Sequence, residues 1–180
     1  RPARSILTGV LVCLHDFTSP ASAVAVARLQ QLADTGCVIG FEGFVPLEFG
    51  APLPVTLDVL AQLERAGPVA DEIGLRLRRP SRLAPPMSAH AVSVVADAHD
   101  LGASWRARCY RAFWEDGADL ADPEVLATLA EGAGLERAWI APALQTTEPL
   151  RRLRERMNRR RGQGAGGVPL LDANGTLVSA

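Results

Sequence analysis

The sequence predicts an α/β fold carrying a large helical insertion, and three features carry that prediction. A strand-like run, Ile6 to Leu14, turns directly into a helix-like run, and a second apolar segment follows at Cys37 to Phe44. Helical periodicity then continues for about a hundred residues, far more than one crossover needs. The chain closes on two short apolar runs around Asn174-Gly175, a strong hairpin signal.

The length of 180 residues fits one domain, or one domain with an inserted subdomain, and is enough to bury a sizeable core. With 48% apolar and 22% charged residues, the chain has the composition of a soluble globular protein. A net charge of -1 argues against a general polyanion binder. Every basic residue is Arg, which points to biased genomic composition rather than to a function. No apolar stretch is long enough to span a bilayer, so no membrane partner is expected. The chain begins at Arg1 rather than Met, consistent with a trimmed N-terminus or a removed signal peptide.

Cys13, Cys37 and Cys109 show neither CxxC nor metal-ligand spacing, so no metal is expected. An odd count without a pattern fits a reducing, cytoplasmic compartment, and each is read as a small buried apolar residue. Placed on adjacent strands, Cys13 and Cys37 would approach one another.

The first run, rich in Val, Leu and Ile, predicts a buried strand. Pro20 to Asp34 predicts a helix, with Ser19 as N-cap, Pro20 as first helical residue and Thr35-Gly36 as its end. With Cys37 to Phe44 these make a βαβ unit, whose two strands should be parallel. A Pro/Gly loop runs from Val45 to Pro54. Helical patterns follow at Val55 to Arg65, Pro68 to Ile73 (a short separate helix) and Met87 to Leu101. Further ones are Ser104 to Glu115, Asp122 to Leu129 and a short one after Gly134, with a basic connector at Leu75 to Pro86. Tyr110, Phe113 and Trp114 share one side, a pattern that favours core packing over base stacking. The organisation is thus a core segment at 1–54, a helical insertion at 55–145 and a second core segment at 146–180.

Pro149 to Arg161 is a helix carrying seven arginines, with Leu150, Leu153 and Met157 at helical spacing. No aromatics interleave the charges, so a solvated face is favoured over a nucleic-acid surface. A glycine-rich turn at Gln163 to Gly167 precedes Val168-Pro169. Proline is tolerated at a strand start, and an X-Pro bond there can be cis.

The stretch with chemical potential is Asp16-Phe17-Thr18-Ser19-Pro20-Ala21-Ser22. A strand running into a helix N-terminus presents backbone N–H groups and the positive end of the dipole, which favour a thiolate or other anion. Ser-Pro before a helical run is also an ordinary helix start that implies no chemistry by itself. His15, next to Asp16, is a candidate base at the strand end, although a structural histidine is the favoured reading. His90 and His99, nine apart on one predicted helix, have no convergent Cys or carboxylate partners. Asp172 is suited to favouring the turn at Ala173-Asn174.

The order of these elements, with D-x-x-[CS]-P-x-[CS] after the first strand, resembles the DsbA-like thioredoxin family. That family includes disulfide oxidoreductases, FrnE-type proteins, 2-hydroxychromene-2-carboxylate isomerase and kappa-class glutathione transferase. Phe44-Val45-Pro46-Leu47, Ala89-His90-Ala91 and the stretch Ala112-Phe113-Trp114 to Asp122 resemble its later segments. Leu126 to Leu135 does so too, and Gly167-Val168-Pro169 resembles its cis-proline loop. The resemblance implies a thioredoxin-like core whose cis-proline loop meets the N-terminus of the first helix.

Departures from the family pattern shape the functional expectation. Disulfide exchange needs an attacking thiolate and a resolving thiol, and both positions here are serine, Ser19 and Ser22. Dithiol–disulfide oxidoreductase activity is therefore rejected. The Ser-Pro turn instead resembles the glutathione-dependent isomerase and transferase branch. That branch implies glutathione as the thiol and a small electrophile as substrate. Ser19 would hydrogen-bond the sulfur, Val168 beside Pro169 would pair with the peptide backbone, and His15, Asp16 and Ser22 would support the site. The alternative is a degenerate family member that binds a ligand or protein through the same groove. Ala21 and Ala23 stand where the family carries aromatics. The chain ends at Ala180, where the family continues into a further turn and helix. The latter implies a fragment, or completion by a partner such as a homodimer mate.

Overall fold

The computed structural model describes residues 10–180. Four strands and seven helices occur among them, in the order β1 (Leu11–His15), α1 (Pro20–Asp34), β2 (Ile39–Gly43), α2 (Leu57–Glu72), α3 (Met87–Ala98), α4 (Gly102–Trp114). Then come α5 (Pro123–Gly132), α6 (Arg137–Gln145), α7 (Glu148–Gly162), β3 (Leu170–Ala173) and β4 (Thr176–Ser179). The sheet order is β2-β1-β3-β4. β1 and β2 are parallel, with Cys13 opposite Phe41, as the βαβ reading requires. β3 runs antiparallel to β1, and β4 antiparallel to β3. Residues 6–9 of the expected first strand lie outside the described residues.

β1 is the central element and is packed on both faces, as strand alternation demands. Cys13 joins a large cluster built with α1, α3 and α4, in which Val26, Val92, Trp105 and Phe113 are buried. Leu14 points the other way, into a smaller cluster under α7 with Phe44, Leu153 and Met157. The apolar stripe of the arginine-rich helix is what docks it, and its charges do more than face solvent. Arg160 spans the sheet, bonding Glu42 of β2 at 2.8 Å and Asp172 of β3 at 2.6 Å. Arg161 donates to the Val45 carbonyl.

Turn chemistry closes the hairpin. Asn174 and Gly175 have φ values of 55° and 86°, the positive pair that a tight two-residue turn requires. Asp172 accepts the Gly175 N–H at 2.7 Å.

Two expectations need correction. Pro68 does not begin a separate helix, because α2 runs through it from Leu57 to Glu72. The packed stripe of Val59 and Leu63 continues into fully buried Ala70, so tertiary packing carries the helix past a proline that costs about 3 kcal/mol in a helix interior. Cys13 and Cys37 do not approach as strand neighbours either, since Cys37 precedes β2 and is exposed.

Gly43 at the end of β2 is required by a close approach. A Cβ there would sit 2.6 Å from Cγ of His90 on α3. Gly43→Ala is expected to destabilise the fold by about 1–3 kcal/mol, as overpacking does in other cores. Urea unfolding measures it, and a variant as stable as the parent would contradict the packing described.

Candidate functional site

The loop from β1 into α1 is held by its own side chains and by two distant helices. Ser19 caps α1, its Oγ accepting the Ser22 N–H at 3.1 Å. Ser22 is fully buried, and its Oγ accepts the Asp16 N–H at 3.3 Å. Thr18 donates to the Asp16 carboxylate twice, from its N–H at 3.2 Å and its hydroxyl at 2.8 Å. The Asp16 carbonyl accepts from the Ser19 N–H and from the Tyr110 hydroxyl. The Phe17 carbonyl accepts the Trp114 indole N–H at 3.0 Å. From α3, His90 brings Nε2 to 3.4 Å from the Asp16 carboxylate and stacks its ring on Phe17.

A cleft of about 360 Å³ opens beside this loop. Ser19, Asp16 and Thr18 form one wall, and Gly167 and Val168 form another. Leu47 and Phe49 of the loop after β2 also line it, with Val59, Asp58 and Gln62 of α2. An isolated bridge between Leu53 and Leu83 ties that loop to the connector after α2. The Val168–Pro169 peptide is cis. Among the described residues, neither the N–H nor the C=O of Val168 has a backbone partner. Pro169 accepts from the Ala180 N–H and does not line the cleft.

The sequence-derived residues thus separate. Ser19, Asp16 and Val168 meet at one cleft, whereas His15 and Ser22 lie beneath it. His15 is buried, with Nδ1 at 2.9 Å from the Tyr110 hydroxyl. Burial foremost, and then the nearby His90 and Arg106, hold its imidazole well below the usual 6.5. His90, Tyr110 and Trp114 were not assigned to the site from sequence. In sequence, His90 and Trp114 are marked only by the segments Ala89-His90-Ala91 and Ala112-Phe113-Trp114, and Tyr110 only by its place in an aromatic stripe.

The two buried thiols are poorly suited to nucleophilic chemistry. Burial pushes Cys13 up to about 12, partly offset by Arg106, and pushes Cys109 well above its ordinary value. No group of three or more His, Cys, Asp or Glu able to hold a metal occurs among the described residues. No helix among them is long and apolar enough to cross a membrane.

Native protein treated with a disulfide reagent such as DTNB should therefore release one equivalent rapidly, from Cys37. Release of three would contradict the burial of Cys13 and Cys109. His15 also implies a pH dependence. Its folded pKa lies below the unfolded value, so the unfolded chain binds the extra proton as the pH falls below 6.5. Stability should fall there by up to about 1.4 kcal/mol per pH unit for this group. Urea titrations from pH 7.5 to 5 should show a shallower fall in His15→Gln, and parallel curves would refute the assignment.

Comparison with known proteins places this geometry in context. The fold superimposes on 2-hydroxychromene-2-carboxylate isomerase with a TM-score of 0.79 at 20% identity, covering 94% of this chain and 88% of that one. It superimposes equally well (0.79, 20%) on a probable DsbA oxidoreductase from Streptomyces coelicolor, covering 95% and 83%. Against the cytosolic disulfide reductase DsbM from Pseudomonas aeruginosa with GSH, the values are 0.72 and 23%, covering 95% and 89%. At these identities the likeness establishes the fold. No curated protein matches the chain. The family model described as the DSBA-like thioredoxin domain matches residues 14–179, and the chain belongs to that family.

Proposed function

We propose that the protein binds glutathione at the N-terminus of α1 and uses its thiol to isomerise or conjugate a small electrophile. The observation that carries this reading is the state of the Ser19 hydroxyl. Its oxygen accepts the Ser22 N–H, and its own proton has no acceptor among the described residues. It therefore has a hydrogen bond to donate into a cleft that Val168 also lines.

A thiol sulfur beside Ser19 would gain that hydrogen bond and the positive end of the α1 dipole, both of which favour the thiolate. The Val168 backbone is suited to pair with the cysteinyl backbone of the tripeptide. Asp58 at the mouth offers a carboxylate to the tripeptide ammonium. The lining holds no cation to receive the glutathione carboxylates, so affinity is expected in the high micromolar to millimolar range, roughly -4 to -5 kcal/mol.

The chemistry follows from the thiolate. Its lone pair adds to an electrophilic carbon of a conjugated double bond, and the π electrons move onto the activating group. Expulsion of the sulfur after rotation re-forms the double bond with the other geometry. Protonation of the adduct instead leaves a thioether conjugate. The relatives support this reading, one being an isomerase and another a disulfide reductase with GSH. The serines at both motif positions favour it over dithiol exchange.

Calorimetric titration of reduced glutathione into the wild type and Ser19→Ala tests it. Binding should weaken about five- to tenfold in the variant, the worth of one ordinary hydrogen bond at about 1–1.4 kcal/mol. Absence of binding to the wild type would sink the enzyme reading and favour a groove that takes a protein or other ligand.

A further inference from the structure

We propose that the gap between α1 and α4 is a second binding site, for a small monocarboxylate with an apolar body. It is a cavity of about 180 Å³, room for roughly six water molecules at ~30 Å³ each. α1 contributes Ala23, Ala27 and Gln30, residues three or four apart and hence on one face, and α4 contributes Ala103, Arg106 and Tyr110. Small alanines on both facing stripes leave the space open, and Ile73 to Leu75 close one end.

Unpartnered polar atoms mark this gap as more than a packing defect. Among the described residues, three buried side-chain polar atoms have no hydrogen-bond partner, and two of them, Arg106 Nε and Gln30 Oε1, belong to residues of this wall. Buried groups are seldom left in that state. The two are complementary in kind, one an N–H donor and the other a carbonyl acceptor.

Arg106 sets the ligand class. It is only 6% exposed. Nη1 donates to Asp97 at 2.6 Å, and the guanidinium lies over the Phe41 ring at 4.3 Å. Nη1 is the only one of its nitrogens with an acceptor among the described residues, which leaves the edge formed by Nε and Nη2. That edge is the fork that receives a carboxylate through two parallel hydrogen bonds. Charge selects a monoanion over a phosphate dianion, because Asp97 already offsets Arg106, and Asp34 and Arg111 add one charge of each sign to the wall. Gln30 donates its amide to Asp34, so its Oε1 is left to accept an O–H or N–H from the ligand body. Arg106 Nε and Gln30 Oε1 are both shut off from solvent, so a ligand in the gap meets them only after the two side chains shift toward it. The gap shares no lining residue with the Ser19 cleft, so the proposal stands apart from the glutathione reading.

Tyr110 is the only tyrosine in the chain and lines this gap, so it is a built-in reporter. Ring-13C-tyrosine protein titrated with benzoate should show one saturable shift at constant ionic strength and pH. Benzamide, with the same body and no charge, should bind about tenfold more weakly. Ala103→Leu fills the gap and leaves Arg106 itself unsubstituted. It should keep the melting temperature of the parent or raise it, and abolish the shift. The proposal is overturned by a wild-type signal that does not saturate, by benzamide binding as well as benzoate, or by an unchanged titration in Ala103→Leu.

Discussion

The constraint on which the rest depends is the fate of two backbone carbonyls where β1 ends. Asp16 and Phe17 leave the sheet and face the protein interior, beyond the reach of ladder hydrogen bonds. Trp114 supplies the donor for the Phe17 carbonyl, and Tyr110, one turn earlier on α4, adds a second donor to the Asp16 carbonyl beside the local Ser19 N–H. Left unpaired, the Phe17 carbonyl would cost about 1–3 kcal/mol. The helical insertion is therefore part of the core rather than an appendage, because α4 completes the end of the central strand. His90 on α3 adds a third clamp by meeting the Asp16 carboxylate and stacking on Phe17. Ser19 stands at the cleft because the residues before it are held from outside.

The two serines divide their labour. A hydroxyl oxygen is a good hydrogen-bond acceptor and a sulfur a weak one. With oxygen at both positions, the Asp16 N–H is satisfied by Ser22 and the Ser22 N–H by Ser19, so loop and helix are joined by a short chain of bonds. Ser22 is consumed by this task and is inaccessible, whereas Ser19 caps the helix and still reaches the cleft. The cysteines that remain elsewhere take no part, since Cys13 and Cys109 are buried thiols with raised pKa values and Cys37 is remote from the cleft. A thiol acting here has to arrive with a ligand.

Local signals carried the βαβ unit, the hairpin and the Ser19 cap, because strand alternation, positive-φ turn residues and N-capping act over a few neighbours. Helix extent was less legible where burial competed with propensity, and Pro68 is the case in point. The site was half legible. Ser19, Asp16 and Val168 could be named from the two loops, but their supports lie far along the chain, His90 and Tyr110 being 74 and 94 residues from Asp16. Spacing along one helix tells which residues share a face, not which loop that face meets. The arginine-rich helix shows the same limit. Its composition suggested a solvated face, yet Arg160 is drawn inward by one carboxylate on each strand flanking β1.

His15 illustrates how the fold decides a titration state. A tyrosine hydroxyl has one proton, and Tyr110 gives it to the Asp16 carbonyl. Its oxygen must then accept from His15, so the imidazole carries a proton on Nδ1. A second proton on Nε2 would place a cation in a fully buried position facing His90 and Arg106. The neutral Nδ1–H form meets both demands, with a chain of hydrogen bonds running from imidazole to hydroxyl to carbonyl. That chain commits His15 to holding the loop, and it places a histidine adjacent in sequence to the cleft residue Asp16 beneath the cleft rather than in its lining.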